Sequence, residues 1–317
     1  MSDANRIASR SIYAFAAIAL LLAGCSSIGG APTVQTPVMG PPAAHANRPG
    51  KGSQDLYIGN ILGGVPLFST GKKPHEVGDI TDQLPRVTGV WVDQKGVLYA
   101  YTDNVKYPYE TIEEFEPGAT TPFFSLVVQH YGAIAVADSA QNVYAQATNS
   151  QAQSVIDVYP PGSQSISNEY VVPAIGQVSG VQGMAFDLTG ALLVGVAALA
   201  HNRQGQVGGV FRLNAGSSTF VNLNLKKAYG GLIATDGAGN LYAGGGRLIS
   251  IYAPGATIPA RMIHTKSTIV TLTAAADGTL YVSTSSGGIS VYAPGKGKPK
   301  TSFSPQAQIS GLALGPG

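Results

Sequence analysis

The chain has 317 residues, of which 44% are apolar, 11% are charged and 41 are glycine. Charge is under half the usual ~25% and glycine well above the usual ~7%, so the chain can bury a core but needs many turns. A net charge of +2 excludes nucleic-acid binding through a broad basic surface, and a single cysteine excludes an internal disulfide or a Cys-rich metal knuckle.

Residues 1–24 read as a targeting segment. Arg6 and Arg10 precede an unbroken apolar run from Ile12 to Leu22. That run is shorter than the ~20 residues a spanning helix needs and fits the h-region of a secretory signal. It ends in Leu22-Ala23-Gly24-Cys25, which resembles the lipobox of bacterial lipoproteins. The resemblance implies lipidation of Cys25, cleavage before it and stable membrane anchoring by several acyl chains. Ser26 follows, where Asp would resemble an inner-membrane retention signal. The expected address is the cell envelope outside the cytoplasm, in the outer membrane if there is one. Residues 25–52 carry Gly29-Gly30, Pro32, Pro37, Pro41-Pro42 and Pro49-Gly50 without apolar periodicity, and read as a tether.

Residues 53–317 repeat. One pattern is an apolar strand, Asp, a short turn often holding Gly, then Leu-Tyr. It occurs at Asp93…Leu98-Tyr99, Asp138…Val143-Tyr144, Asp187…Leu192-Leu193 and Asp236…Leu241-Tyr242; at Ala275…Leu280-Tyr281 alanine replaces the aspartate. The second pattern is aromatic-X-Pro-Gly, at Phe115, Tyr159, Tyr252 and Tyr292, with a degenerate copy at Leu213. Anchors at Leu56, Leu98, Val143, Leu192, Leu241 and Leu280 recur about every 44 residues. Six such units, each with room for four strands (A to D from the inside out), predict an all-β, six-bladed β-propeller. Asp-X-X-Gly fits a type I turn from A to B, and Pro-Gly a type II turn from C to D. Leu56-Tyr57-Ile58 lacks an A strand and Gly311-Leu312-Ala313-Leu314 lacks a B strand. The last strand should therefore complete the first blade and close the ring.

These units resemble NHL-type repeats, and residues 53–317 are similar to six-bladed propellers of the NHL and gluconolactonase kind. The resemblance implies fold more than activity. In such a meander the A–B and C–D turns share one face, and the variable B–C and D–A segments share the other. The variable face offers Arg86, His130, Tyr131, Gln182 and Tyr229 from D–A segments, and His201, Arg203 and Arg247 from B–C segments. Together they would suit a polar or anionic ligand, such as a sugar or a peptide carboxylate; a merely solvated rim is the other reading. Asp93, Asp138, Asp187 and Asp236 read as turn caps, and the repeated tyrosines as packing. Lys296, Lys298 and Lys300 form a basic strip, read as an edge guard with lipid headgroups as the alternative.

The gluconolactonase resemblance also implies an alternative, a metal-dependent lactonase-like hydrolase or lyase. Its central cation would need Glu, Asp and Asn ligands. Instead the residues leading into the A strands are Arg86, Tyr131, Gln182, Gly230, Ile269 and Ser310. Asp103 and Glu110 are the acidic candidates on that face, with Asn104, Asn149 and Asn202 beside them. A zinc lyase on His130 and His201 lacks a nameable third ligand. We therefore expect no catalytic residue, metal or cofactor. The expectation is a monomeric, lipid-anchored binding or scaffold module for a small polar ligand or a partner protein. An envelope assembly subunit docking partners on the same face is a further reading.

Overall fold

The computed structural model describes residues 54–316 apart from 82–83, 104–109, 131, 177–178 and 199–206. The signal, Cys25 and tether assignments lie outside the described residues. Among those described, every regular element is a strand. Blade 1 holds β1 (Asp55–Asn60), β2 (Val65–Ser69) and β3 (Glu76–Ile80). Blade 2 holds β4 (Val87–Val92), β5 (Leu98–Asp103), β6 (Glu110–Phe115) and β7 (Phe124–Val127). Blade 3 holds β8 (Ala135–Ala137), β9 (Val143–Thr148), β10 (Ser154–Tyr159) and β11 (Asn168–Val171). Blade 4 holds β12 (Ser179–Phe186), β13 (Leu192–Ala198), β14 (Val207–Leu213) and β15 (Phe220–Asn222). Blade 5 holds β16 (Leu232–Thr235), β17 (Leu241–Gly245), β18 (Leu248–Tyr252) and β19 (Arg261–His264). Blade 6 holds β20 (Ile269–Ala274), β21 (Leu280–Thr284), β22 (Ile289–Tyr292) and β23 (Thr301–Phe303). The last strand, β24 (Ile309–Leu314), returns to blade 1 and pairs with β1.

Each blade is a four-stranded antiparallel sheet, and the six make a ring, as the repeat predicts. The inner strands touch in sequence around it, from β24 through β4, β8, β12, β16 and β20 back to β24. Leu56 pairs with Leu314 and Ile58 with Leu312, so the closure is an ordinary ladder made from opposite ends of the propeller.

Turn chemistry sets the blade edges. In blade 5 the Asp236 N–H donates to the Asn240 carbonyl and Gly239 N–H to the Asp236 carbonyl, with Gly239 at φ +77°. The Asp236 carboxylate accepts the N–H groups of Ala238 and Asn240, the Asn240 amide and the Tyr242 hydroxyl. Asp93 and Asp138 repeat the arrangement. In blade 4 Leu193 replaces the tyrosine, and Arg212 meets Asp187 at 2.9 Å instead. Blade 6, with Ala275, borrows Asp277, which accepts from Thr279. The aspartates are therefore turn caps. The Pro-Gly turns are type II, as at Gly118, where φ is +77° and Ala119 N–H reaches the Glu116 carbonyl.

The core lies between blades. The Leu-Tyr anchors, apart from the half-buried Tyr144, and the aromatic residues of the second pattern are buried. Phe115 packs with the blade 1 strands, Tyr159 with blade 2, and Tyr292 with blade 5. Phe68 and Phe303 join blades 1 and 6 with ring centroids 5.3 Å apart. Glycine lets neighbouring blades approach: a Cβ on Gly195 would overlap the Gly231 carbonyl oxygen.

Candidate functional site

Six inner strands leave an axial channel of about 300 Å³. Val90, Val136, Met184, Leu232, Leu272 and Leu312 give it an apolar wall. Among the described residues no charged side chain lines it. Four of the inner strands carry an irregularity near their starts. The ladder register shifts at Thr88 in β4, at Gln182 in β12, at Val270 in β20 and at Ser310 in β24. All four residues line the channel. A bulge inserts an unpaired residue and re-aims its side chain, and bulges concentrate beside binding sites. Here they set a ring of hydroxyl, amide and methyl groups where the chain enters the inner strands, on the variable face. Ser310 Oγ is fixed by donating to the Val87 carbonyl at 2.6 Å. Trp91 also lines the channel, and its buried Nε1–H has no hydrogen-bond partner. A buried donor in that state costs about 1–3 kcal/mol unless something accepts from it.

The residues read from the sequence separate into three places. Gln182 is in the channel. Arg86, His130, Tyr229 and Arg247 are not among its lining residues. Tyr131, His201 and Arg203 lie outside the described residues, as do Asn104 and Asn202. Arg86 pairs with Asp103 at 3.0 Å, with both side chains partly exposed, a contact worth little energetically. Tyr229 is exposed on the link from blade 4 to blade 5, and Arg247 is exposed in the β17–β18 turn. Two acidic candidates have local partners. Asp103 meets Arg86, and Glu110 accepts the Gly132 N–H at 2.6 Å and the Tyr101 hydroxyl at 2.8 Å. Burial raises the Glu110 pKa against those two donors, and the same surroundings keep Tyr101 protonated far above the usual phenol range. Asn149 caps its own hairpin by accepting from Gln151 and Gln153 N–H.

His130 sits on the link from blade 2 to blade 3, with Nδ1 2.8 Å from Asp157 Oδ2. Asp157 is completely buried in β10. Burial raises its pKa and His130 opposes that rise. Glu169, opposite Asp157 on β11, is exposed. Neither carboxylate was among the sequence candidates. The available signal was one charge inside the otherwise apolar strand Ser154-Val-Ile-Asp-Val-Tyr159.

The opposite face holds the capped turns. Lys296, Lys298 and Lys300 are exposed on the β22–β23 turn, and Lys72 and Lys73 on the corresponding β2–β3 turn of the adjoining blade. The chain enters β1 on this same face, where Asp55 accepts the Gly315 N–H.

No family model and no curated protein matches the sequence. Solved structures do match. A Bacteroides caccae protein of unknown function aligns with TM-score 0.59 at 10% identity, over 83% of this chain and 99% of that one. A Lactobacillus plantarum protein aligns with TM-score 0.54 at 14% identity, over 80% and 82%. The WD40 β-propeller domain of Doa1 aligns with TM-score 0.52 at 12% identity, over 77% and 90%. What the chain shares with these structures is the β-propeller fold.

Proposed function

We propose that this chain is a lipid-anchored, extracytoplasmic binding module whose axial channel holds a small uncharged ligand. The carrying observation is the channel itself: an apolar wall and a ring of bulged Thr88, Gln182, Val270 and Ser310. Its volume is at the small end of ligand pockets, which run from about 300 to 1,000 Å³. An uncharged wall favours a neutral molecule, because a bare charge there would be desolvated without a partner. This narrows the polar or anionic class expected from the rim residues. The lipobox-like Leu22–Cys25 supports the anchored address, and the exposed lysines beside the start of β1 support that face turning towards an anionic membrane surface.

Trp91 is the only tryptophan in the chain, so its emission reports on the channel. Short neutral esters and amides should shift that emission and raise the melting temperature. Gln182→Leu, followed by Trp91 emission and melting temperature, should weaken the same ligands about fivefold, the value of one hydrogen bond. Binding confined to carboxylates, and lost in Arg247→Ala, would overturn the channel reading in favour of the rim. Cys25→Ser should move the protein from the membrane to the soluble fraction; an unchanged distribution would refute the anchor.

A further inference from the structure

We infer that His130, Asp157 and Glu169 form a zinc-binding site between blades 2 and 3, distinct from the axial channel. One ligand atom from each lies within 4.8 Å of the others. Zinc holds nitrogen and oxygen ligands at about 2.0–2.2 Å, which spaces them ~3.3 Å apart in a tetrahedron. His130 Nδ1 and Asp157 Oδ2, at 2.8 Å, are already near that spacing. Glu169 is exposed, its carboxylate accepts only a 3.4 Å contact from the Asn149 amide among the described residues, and a rotamer change would supply the remaining closure.

Two independent observations point to a cation. Asp157 is wholly buried, yet its Oδ1 has no hydrogen-bond partner. A buried carboxylate is tolerated when it is paired or coordinates a metal. Asp157 and Glu169 also stand directly opposite in the β10–β11 ladder, where like charges destabilise a sheet. Among the described residues no lysine or arginine pairs with either one, and His130 can offset only a single charge. A divalent ion would offset both. Asp157 and Tyr159 share one side of β10, and Tyr159 packs against Tyr101, Ile112 and Leu126 of blade 2. The ion would therefore lie at the blade seam, with His130 reaching it from the link between blades. An imidazole with two carboxylates suits zinc better than calcium or magnesium, which take oxygen ligands. Three protein ligands leave the fourth position to water.

The test uses the full chain carrying Cys25→Ser, so that no thiol competes, stripped with chelator and titrated with Zn²⁺ against a chromophoric chelator. One equivalent should bind. His130→Ala and Glu169→Gln should each weaken it at least ~10-fold, a loss that even partners outside the ligand set can cause. Co²⁺ should give tetrahedral visible absorption that His130→Ala abolishes. Glu169→Gln alters an exposed side chain and removes one of two opposed charges, so it should not lower the melting temperature of the stripped protein and remains informative if Asp157→Asn fails to fold. Absence of stoichiometric zinc, or equal affinity in the wild type and both variants, would overturn the site.

Discussion

Asp236→Ala tests whether the repeated aspartates are structural. The carboxylate accepts from Ala238 N at 3.0 Å, Asn240 N at 2.9 Å, Asn240 Nδ2 at 2.8 Å and Tyr242 Oη at 2.9 Å. A hydrogen bond to a charged group contributes about 1.5–3 kcal/mol, but exposed donors regain water when it is lost. The Ala238 and Asn240 groups are at the surface, whereas the Tyr242 hydroxyl is buried and keeps only a 3.4 Å contact with the Gly278 carbonyl. Three outer bonds at cap value, about 1 kcal/mol together, and one buried bond of about 2 kcal/mol give a loss near 3 kcal/mol. A domain of this size loses roughly 2 °C per kcal/mol, so the melting temperature should fall by about 6 °C. Asp236→Asn should fall between, because its amide turns donors towards donors. Asp277→Ala, at an exposed turn, should cost under ~1 kcal/mol. The assay is thermal unfolding by circular dichroism, with Zn²⁺ affinity measured in parallel. A melting temperature within 1 °C of wild type, or an unchanged fold with lost zinc, would refute the turn-cap reasoning.

Removing residues 309–317 strips β1 of its partner and removes the buried Leu312 and Ala313. The expected cost exceeds about 4 kcal/mol, with aggregation from the bared edge; a monomer on gel filtration melting near wild type would contradict closure by β24. Glu114 is buried, and desolvation first, then the charges of Asp93 and Glu113, push its pKa from 4.5 up to about 7. Its folded pKa exceeds its unfolded one, so the stability it adds is full below pH 4.5 and is lost as pH rises through about 7. Glu114→Gln should therefore leave urea unfolding unchanged near pH 4 and stabilise the protein by up to about 3 kcal/mol at pH 8. Equal effects at both pH values would show that the carboxylate is already ionised in the fold.

What was legible in the sequence is what local chemistry determines. Each Asp-X-X-Gly turn closes on itself within five residues, so its caps and its spacing could be read without knowing the neighbouring blade. Ring closure was legible because Leu56 and Leu312 each belonged to an incomplete copy of the repeat. The channel mouth was not. Bulges at Thr88, Gln182, Val270 and Ser310 move the lining residue along the strand, so among the described residues read as leading into the inner strands only Gln182 and Ser310 reach the channel. The His130–Asp157–Glu169 group was hidden for a different reason. Its members come from a link and two strands, and they meet because one face of β10 is turned towards blade 2.

The pairing of β1 with β24 also dictates an order of events during synthesis. A chain emerging from its N-terminus presents β1 first and then waits for almost the whole propeller before Ile309–Leu314 appears. Blades 2 to 6 can each form from contiguous sequence as they emerge, because their strands are consecutive. Blade 1 cannot, and until release its inner edge is open to any passing strand. The nascent chain therefore carries one unpaired inner edge until Ile309–Leu314 is made, and a stop just before that strand leaves the ring open although five blades are complete.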